Sequence, residues 1–436
     1  MRSLLYITYY WPPSGGPGVQ RSLKFTKYLP LFGYIPSVIT VDPKWAYYPL
    51  LDPSLEKEIP SYIKVYKTKT REPFRFYQAT TSQDKLPKPG FAGEGKPGFF
   101  QVLARTLRGN LFIPDPRKGW NKFLITQALE CIKLDAPAAI ITSSPPHSTQ
   151  LAGLKLKQLT KIPWIADLRD PWTDIYYYNE FRHLPWVKRK DAQLELSVLE
   201  NADAIIVVSP SIKKLFLSKS TKISQDKIHV IPNGFDDEDF NCVSNQPKNE
   251  YFTITYTGTL SSAYNIDALI HALKLFKEIH PNAKIRIRFI GKISPEILQS
   301  LKDNGLENLL SLVDYLPHSE AITHMMRADV LLLAIPQINE NKGILTGKLF
   351  EYMATGNPIL GIGPPDGDVS KILDETHSGK MFDYDKQNEV FSFLSHQYEL
   401  WHNGSKIRKL SPEVEKYSRK ALTAELAQII DQLLSQ

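Results

Sequence analysis

The sequence predicts an α/β protein built from two doubly wound, parallel-sheet domains. Short apolar runs rich in β-branched residues recur, each followed by a Gly, Pro or Ser turn and then a helical pattern, which is the mark of βα units. That scheme runs through twice, on either side of an acidic and then Asn/Pro-rich stretch at 235–250. The length, 436 residues with 42% hydrophobic and 23% charged content, exceeds one ordinary core and suggests two domains of roughly 200 residues each.

In the first half the expected strands are 4–9, 37–41, 138–142, 164–167, 204–209 and 229–232. In the second they are 252–256, 285–290, 309–313, 330–334 and 358–361, with helices at 264–280, 295–304, 318–327 and 346–355. The first domain is expected over 1–240 and the second over 250–410. Within the first, residues 78–98 are too poor in apolar surface to order themselves and are expected as a long mobile insertion. Over 411–436, Leu422, Leu426, Ile429, Ile430, Leu433 and Leu434 stand at helical spacing, so one amphipathic helix is expected to return to the first domain.

Composition narrows the function. The excess of 53 basic over 46 acidic residues is mild, unlike the concentrated stripe of a nucleic-acid binder, and no nucleic-acid partner is expected. Anionic ligands or an anionic membrane surface suit it. Cys131 and Cys242 stand far apart with no CxxC or Cys/His cluster, which argues against a disulfide framework or zinc and for a cytoplasmic setting. The opening apolar run is too short for a leader and no small-residue cleavage site follows. No segment approaches the roughly 20 apolar residues needed to span a bilayer; any membrane contact is expected to be peripheral.

In open parallel sheets ligands bind beyond the carboxyl ends of the strands, so the turns there are the candidate sites. The first carries Gly15, Gly16 and Gly18, then Arg21; its glycines let backbone amides approach a ligand, or simply meet demanding backbone angles. It is not a Walker loop. The second, 142–148, places His147 near a helix N-terminus, where a neutral imidazole is favoured; a lone His is also compatible with a structural role. In the third, 167–172, Arg169 and Asp170 either pair locally or touch a ligand. The fourth enters the helix that begins near Gly347, where Lys348 and Glu351 share a face. They suit a diphosphate and vicinal ribose hydroxyls, or form an ordinary surface ion pair.

With these segments in view, the chain resembles the family 4 glycosyltransferases of the GT-B fold over nearly its whole length. The carrying motifs are Tyr9 to Arg21, the Ser143 to Ser148 turn, Trp164 to Trp172, Val230 to Asp236, Tyr256 to Leu260 and Gly347 to Pro358. The resemblance implies two Rossmann-like domains facing across a cleft, with the acceptor on the first and the donor nucleotide on the second. It further implies that His147, Lys348 and Glu351 are catalytic: His147 touches the donor sugar, Glu351 takes the ribose hydroxyls and Lys348 neutralises phosphate. Gly15 and Gly16 are implied near the diphosphate and acceptor. Gly258, Thr259 and Leu349 are implied at the nucleotide, and Arg21, Arg169 and Asp170 on the acceptor or phosphate side.

The chain departs from the family pattern. The first of the usual pair of glutamates eight apart falls on Gly343, and the Arg and Lys that many relatives carry after the second domain's first strand correspond to Thr259 and about Asn265. Lys348, Lys342, Arg169 and Arg21 are then the candidates for neutralising diphosphate. The Asp366-Gly367-Asp368 and Asp237-Glu238-Asp239 patterns read as acidic turns or helix caps, so metal independence is expected, and no cofactor beyond the donor. Retention at the anomeric carbon and a glycan or lipid-linked acceptor in surface polysaccharide assembly, at the inner face of the plasma membrane, follow from the resemblance. UDP- and GDP-sugars both remain open as donors. The competing readings are a catalytically degenerate nucleotide-sugar-binding scaffold and a nucleotide-sugar 2-epimerase.

Overall fold

The computed structural model describes residues 1–48, 50–72, 106–107, 109–240, 249–405 and 410–435. The expected insertion at 78–98 lies outside the described residues. The chain divides into two units: one runs from Met1 to Asn233 and takes back the segment from Arg419, and the other is Gly234–Ser418.

The first unit is a seven-stranded, all-parallel sheet: β1 (Arg2–Thr8), β2 (Tyr34–Val41), β3 (Lys64–Thr68), β4 (Ala139–Ser144), β5 (Trp164–Leu168), β6 (Ala204–Val207) and β7 (Ile228–Val230), ordered β3-β2-β1-β4-β5-β6-β7. Its helices are α1 (Pro17–Tyr28), α2 (Asn121–Asp135), α3 (Ser148–Thr160), α4 (Pro185–Asn201) and α5 (Pro210–Lys219). Side chains alternate across a strand, and both faces of this sheet are covered. Leu5 and Ile7 of β1 join one core with Leu124, Ala152 and Trp164. Leu4 and Tyr6 join the other with Leu23 of α1 and with Leu422, Leu426 and Ile430 of the last helix, Arg419–Leu434.

The second unit repeats the design with six parallel strands, β8 (Phe252–Thr257), β9 (Ile285–Ile290), β10 (Leu310–Val313), β11 (Val330–Ala334), β12 (Ile359–Ile362) and β13 (Gly379–Phe382), ordered β10-β9-β8-β11-β12-β13. Its helices are α6 (Asp267–Ile279), α7 (Pro295–Asp303), α8 (His318–Met326), α9 (Gly347–Thr355), α10 (Asp368–Thr376) and α11 (Gln387–His402), and the last helix of the chain is α12. In each sheet the winding reverses beside the first strand, between β1 and β4 and between β8 and β11. Ligand crevices open at such switch points, beyond the strands' carboxyl ends.

Two strands escaped the sequence analysis, β3 and β13. Each is an edge strand with a partly exposed, lysine-bearing sequence, Lys64-Val65-Tyr66-Lys67-Thr68 and Gly379-Lys380-Met381-Phe382, so neither shows the apolar run of a buried strand. The boundaries also differ from those expected. Residues 234–240 and 411–418 belong to the second unit rather than to the first domain, a linker or the final segment. Phe235, Val414 and Tyr417 are buried in one core with Phe350, and the Phe235 N–H donates to the Tyr417 carbonyl at 3.1 Å.

Candidate active site

In the first unit, the turns after β1, β4 and β5 meet. Gly16 precedes α1 with φ of 102°, in the region that favours glycine, and a Cβ there would touch nothing within 4 Å. Gly15 is different: its N–H donates to the Leu50 carbonyl at 3.0 Å and a Cβ would stand 3.1 Å from Leu50 and Asp52, so it packs against its own chain. Gly18 leaves room for Arg169, since a Cβ would fall 1.8 Å from the guanidinium. Arg169 donates from Nε to the Ser144 carbonyl at 2.9 Å and from Nη2 to the Pro145 carbonyl at 3.4 Å. It therefore braces the His147 turn, and no Arg169–Asp170 ion pair forms among the described residues. Burial raises the Asp170 carboxyl above its ordinary range, with Arg169 pulling the other way.

The expectation that Arg21 faces phosphate or acceptor is corrected by its surroundings. Arg21 and Asp167 are each 1% exposed. Nε and Nη2 of Arg21 donate to the Asp167 carboxylate at 3.3 and 2.9 Å, and Nη1 donates to the Pro232 carbonyl at 2.6 Å. All three nitrogens are committed to holding α1 against β5 and the exit of β7.

His147 stands just before α3, whose first residue is capped by Asp115: the Ser148 N–H and Oγ–H donate to its carboxylate at 2.7 and 2.9 Å. Burial, helped by Arg169, pushes the His147 imidazole down to about 3, so the ring is neutral at physiological pH. Its Nδ1 is buried and has no hydrogen-bond partner among the described residues. The ring stacks on Trp172 at 4.7 Å with 14° between the planes.

In the second unit the turn after β8 meets the start of α9. Gly258, with φ of 99°, lies against Lys348, whose Nζ would be 3.3 Å from a Cβ at Gly258. Lys348 Nζ donates to the Tyr256 hydroxyl at 2.6 Å and lies 4.1 Å from the centre of the Tyr256 ring; that hydroxyl donates in turn to the Thr259 carbonyl at 2.8 Å. Gly258, Thr259 and Lys348 thus form one cluster, with Glu351 one turn further along α9. Lys348 and Glu351 are not partnered with each other. Glu351, 15% exposed, meets His318 at the start of α8, with 3.1 Å between Oε1 and Nε2.

Leu349 is fully buried in the core with Leu331 and Phe350, so its side chain is withdrawn from any ligand, a correction to its implied place at the nucleotide. Lys342 is paired with Asp366 on the surface. Asn265 caps the start of α6, accepting from the Asp267 N–H at 2.8 Å. Asp368 opens α10, where the helix dipole favours an anion. Among the described residues no group of three His, Cys, Asp or Glu side chains could hold a metal ion, and no helix is long and apolar enough to cross a membrane.

Sequence reasoning missed Tyr256, His318, Thr346 and Trp172. Thr346, the residue before α9, keeps a buried hydroxyl with no partner among the described residues; a Thr immediately before a helix is a recognisable capping signal. Tyr256 and Trp172 stand within motifs that carry the resemblance, yet neither has a role legible in the sequence, because Lys348 and His147, which they meet, come from elsewhere in the chain.

Burial pushes the Lys348 ammonium down to about 7, with Glu351 opposing. An anion bound there stabilises the charged form, so binding takes up a proton wherever free Lys348 is neutral, and affinity falls as pH rises through and above 7. UDP affinity is expected to fall up to about tenfold between pH 7.5 and 8.5. Titration calorimetry at pH 8 in two buffers of different ionisation enthalpy should detect the proton, and Lys348→Met should abolish both the uptake and the slope.

Residues 87–239 match the family described as Glycosyltransferase Family 4. No curated protein matches the chain. Among solved structures, a glycosyltransferase from Rickettsia africae is similar over 100% of this chain and 99% of its own, at 13% identity and a TM-score of 0.63. The Anabaena protein HepE, in complex with UDP-glucose, is similar over 99% and 100%, at 13% identity and 0.62. WaaG, a glycosyltransferase involved in lipopolysaccharide biosynthesis, follows over 98% and 99%, at 12% and 0.56. At these identities the structures establish the fold, which is GT-B, with two Rossmann-like parallel-sheet units. The chain thus shares its fold with GT-B glycosyltransferases, and residues 87–239 within it are similar to Glycosyltransferase Family 4.

Proposed function

We propose that the protein transfers a sugar from a UDP- or GDP-sugar to a glycan or lipid-linked acceptor, with retention and without a metal ion, at the cytoplasmic face of a membrane. The observation that carries this reading is the cluster at the start of α9, where Lys348 lies against the Gly258–Thr259 turn and Glu351 follows one turn on. Charge builds on the diphosphate as it leaves, and a cation at a helix N-terminus opposes that charge in a setting already organised for it. Lys348 supplies the cation in place of the pair absent at Thr259 and Asn265. Glu351, held by His318, accepts the ribose hydroxyls. His147, neutral and with a free ring nitrogen, hydrogen-bonds a hydroxyl of the donor sugar rather than pairing with phosphate. HepE was solved with UDP-glucose, which supports a nucleotide-sugar donor here.

The test is transfer of radiolabel from UDP-glucose, UDP-galactose and GDP-mannose into a bacterial lipid extract, with and without EDTA. Label moving from one donor to an extractable product, insensitive to EDTA and in the donor's anomeric configuration, is expected. EDTA-sensitive transfer or an inverted product contradicts the corresponding part of the reading. One observation favours a second reading: with Asn265 engaged as a helix cap and Gly343 lacking a carboxylate, the site has fewer charged groups than the family pattern. A non-catalytic nucleotide-sugar scaffold then shows donor binding with neither transfer nor hydrolysis.

A further inference from the structure

We propose that Trp172, held by Asp191 of α4 in a segment that Glu195 also anchors through Thr173, is the residue that positions the His147 ring for its contact with the donor sugar. The proposal rests on the reading of His147 given above. Trp172 has φ of 26°, outside the ordinary regions for a bulky side chain. Such a conformation persists where the surroundings impose it, and it is found where geometry serves a site.

The imposing contacts come from two carboxylates four residues apart on one face of α4. Asp191 accepts from Trp172 Nε1 and from the Tyr178 hydroxyl, each at 2.9 Å. Glu195 accepts from Thr173 Oγ1 and from Lys219 Nζ, each at 2.6 Å, and Lys219 also pairs with Asp174. Asp191 is 3% and Glu195 1% exposed, and burial raises both carboxyls above their ordinary range. Burying two carboxylates opposes folding unless they are fully engaged. Three of the four hydrogen bonds they accept come from one short segment, residues 172–178, whose indole lies flat on the imidazole.

Nothing else described fixes that imidazole. Its Nδ1 has no partner, and the charged group acting on it is Arg169, while Asp115 is engaged with the next residue, Ser148. A flat aromatic neighbour sets the plane of the ring and excludes water from one side of it. The nitrogens stay free to meet a sugar hydroxyl.

Three variants separate positioning from plain packing. Trp172→Phe keeps an aromatic plane. Trp172→Leu removes it, and Trp172→Met refills the space with a flexible chain should the leucine variant fail to fold. The full chain, labelled with ¹³C at histidine Cε1, is titrated by NMR between pH 5 and 8, with the His147 signal assigned by its loss in His147→Gln. Wild type and Trp172→Phe are expected to show a His147 signal that does not titrate in this window. In Trp172→Leu or Trp172→Met it should titrate within the window. Turnover of UDP-glucose to glucose and UDP should fall at least tenfold in these two at unchanged KM, and Trp172→Phe should restore most of it. A His147 signal identical in wild type and the aliphatic variants overturns the proposal, whatever happens to UDP-glucose. Failure of the wild type to turn over UDP-glucose, UDP-galactose and GDP-mannose alike counts against the donor reading, and the NMR titration still decides the positioning role.

Discussion

Replacing Asp167 by Ala is expected to destabilise the first unit by about 3–5 kcal/mol, because it leaves the Arg21 guanidinium buried without a counter-charge. Asp167 accepts two hydrogen bonds from Arg21 and a third from Ser143 Oγ at 2.7 Å, and Arg21 and Asp167 are each 1% exposed. Water cannot reach the orphaned cation unless α1 moves off the sheet. In a unit of this size the loss corresponds to a fall in Tm on the order of 10 °C, measurable by calorimetric unfolding. The double replacement Arg21→Met with Asp167→Leu should recover much of the loss, since removing both partners of a buried pair costs far less than removing one. A double variant as unstable as the single one would show that the pair contributes through something other than mutual neutralisation.

The second large effect is on ligand binding. Glu351→Ala is expected to weaken UDP or GDP binding by about 100-fold, the consequence of losing two charge-assisted hydrogen bonds to vicinal hydroxyls at roughly 1.5 kcal/mol or more each. The helix should survive, because Glu351 is partly exposed and alanine favours a helix. His318→Ala should weaken binding less, by roughly fivefold, since its contact is with the Glu351 carboxylate. Isothermal calorimetry on both variants, beside an unfolding curve for each, distinguishes a lost contact from a damaged fold.

The α/β alternation was legible because parallel strands buried on both faces read as apolar runs, and β1, β4, β5 and β11 all do so. The edge strands β3 and β13 were not, because a strand with one partner and an exposed flank carries lysines where the pattern wants valine. The domain boundary was misplaced for a related reason: residues 234–240 are mostly acidic along the chain, yet Phe235 and Phe240 tie them into the second core.

Legibility of the site followed the same rule. Turns at the carboxyl edge could be found from glycines and short polar clusters, which brought Gly16, His147, Arg169 and Lys348 into view. What each side chain touches could not. Arg21 and Arg169 stand in equally promising turns, yet one closes on Asp167 in the interior while the other braces the His147 turn. Lys348 and Glu351, at pairing distance along the helix, turn instead to Tyr256 and His318, partners 92 and 33 residues away. Tertiary neighbours of that kind leave no periodic trace.

The most direct test of the proposed donor site at the start of α9 is calorimetric binding of UDP, GDP and ADP to the wild type and to Glu351→Ala, with and without EDTA. Saturable binding of one uridine or guanosine nucleotide, indifferent to EDTA and lost in Glu351→Ala, is the expected result. A folded wild type that binds none of them, or a Glu351→Ala variant that binds as tightly as the wild type, would contradict it.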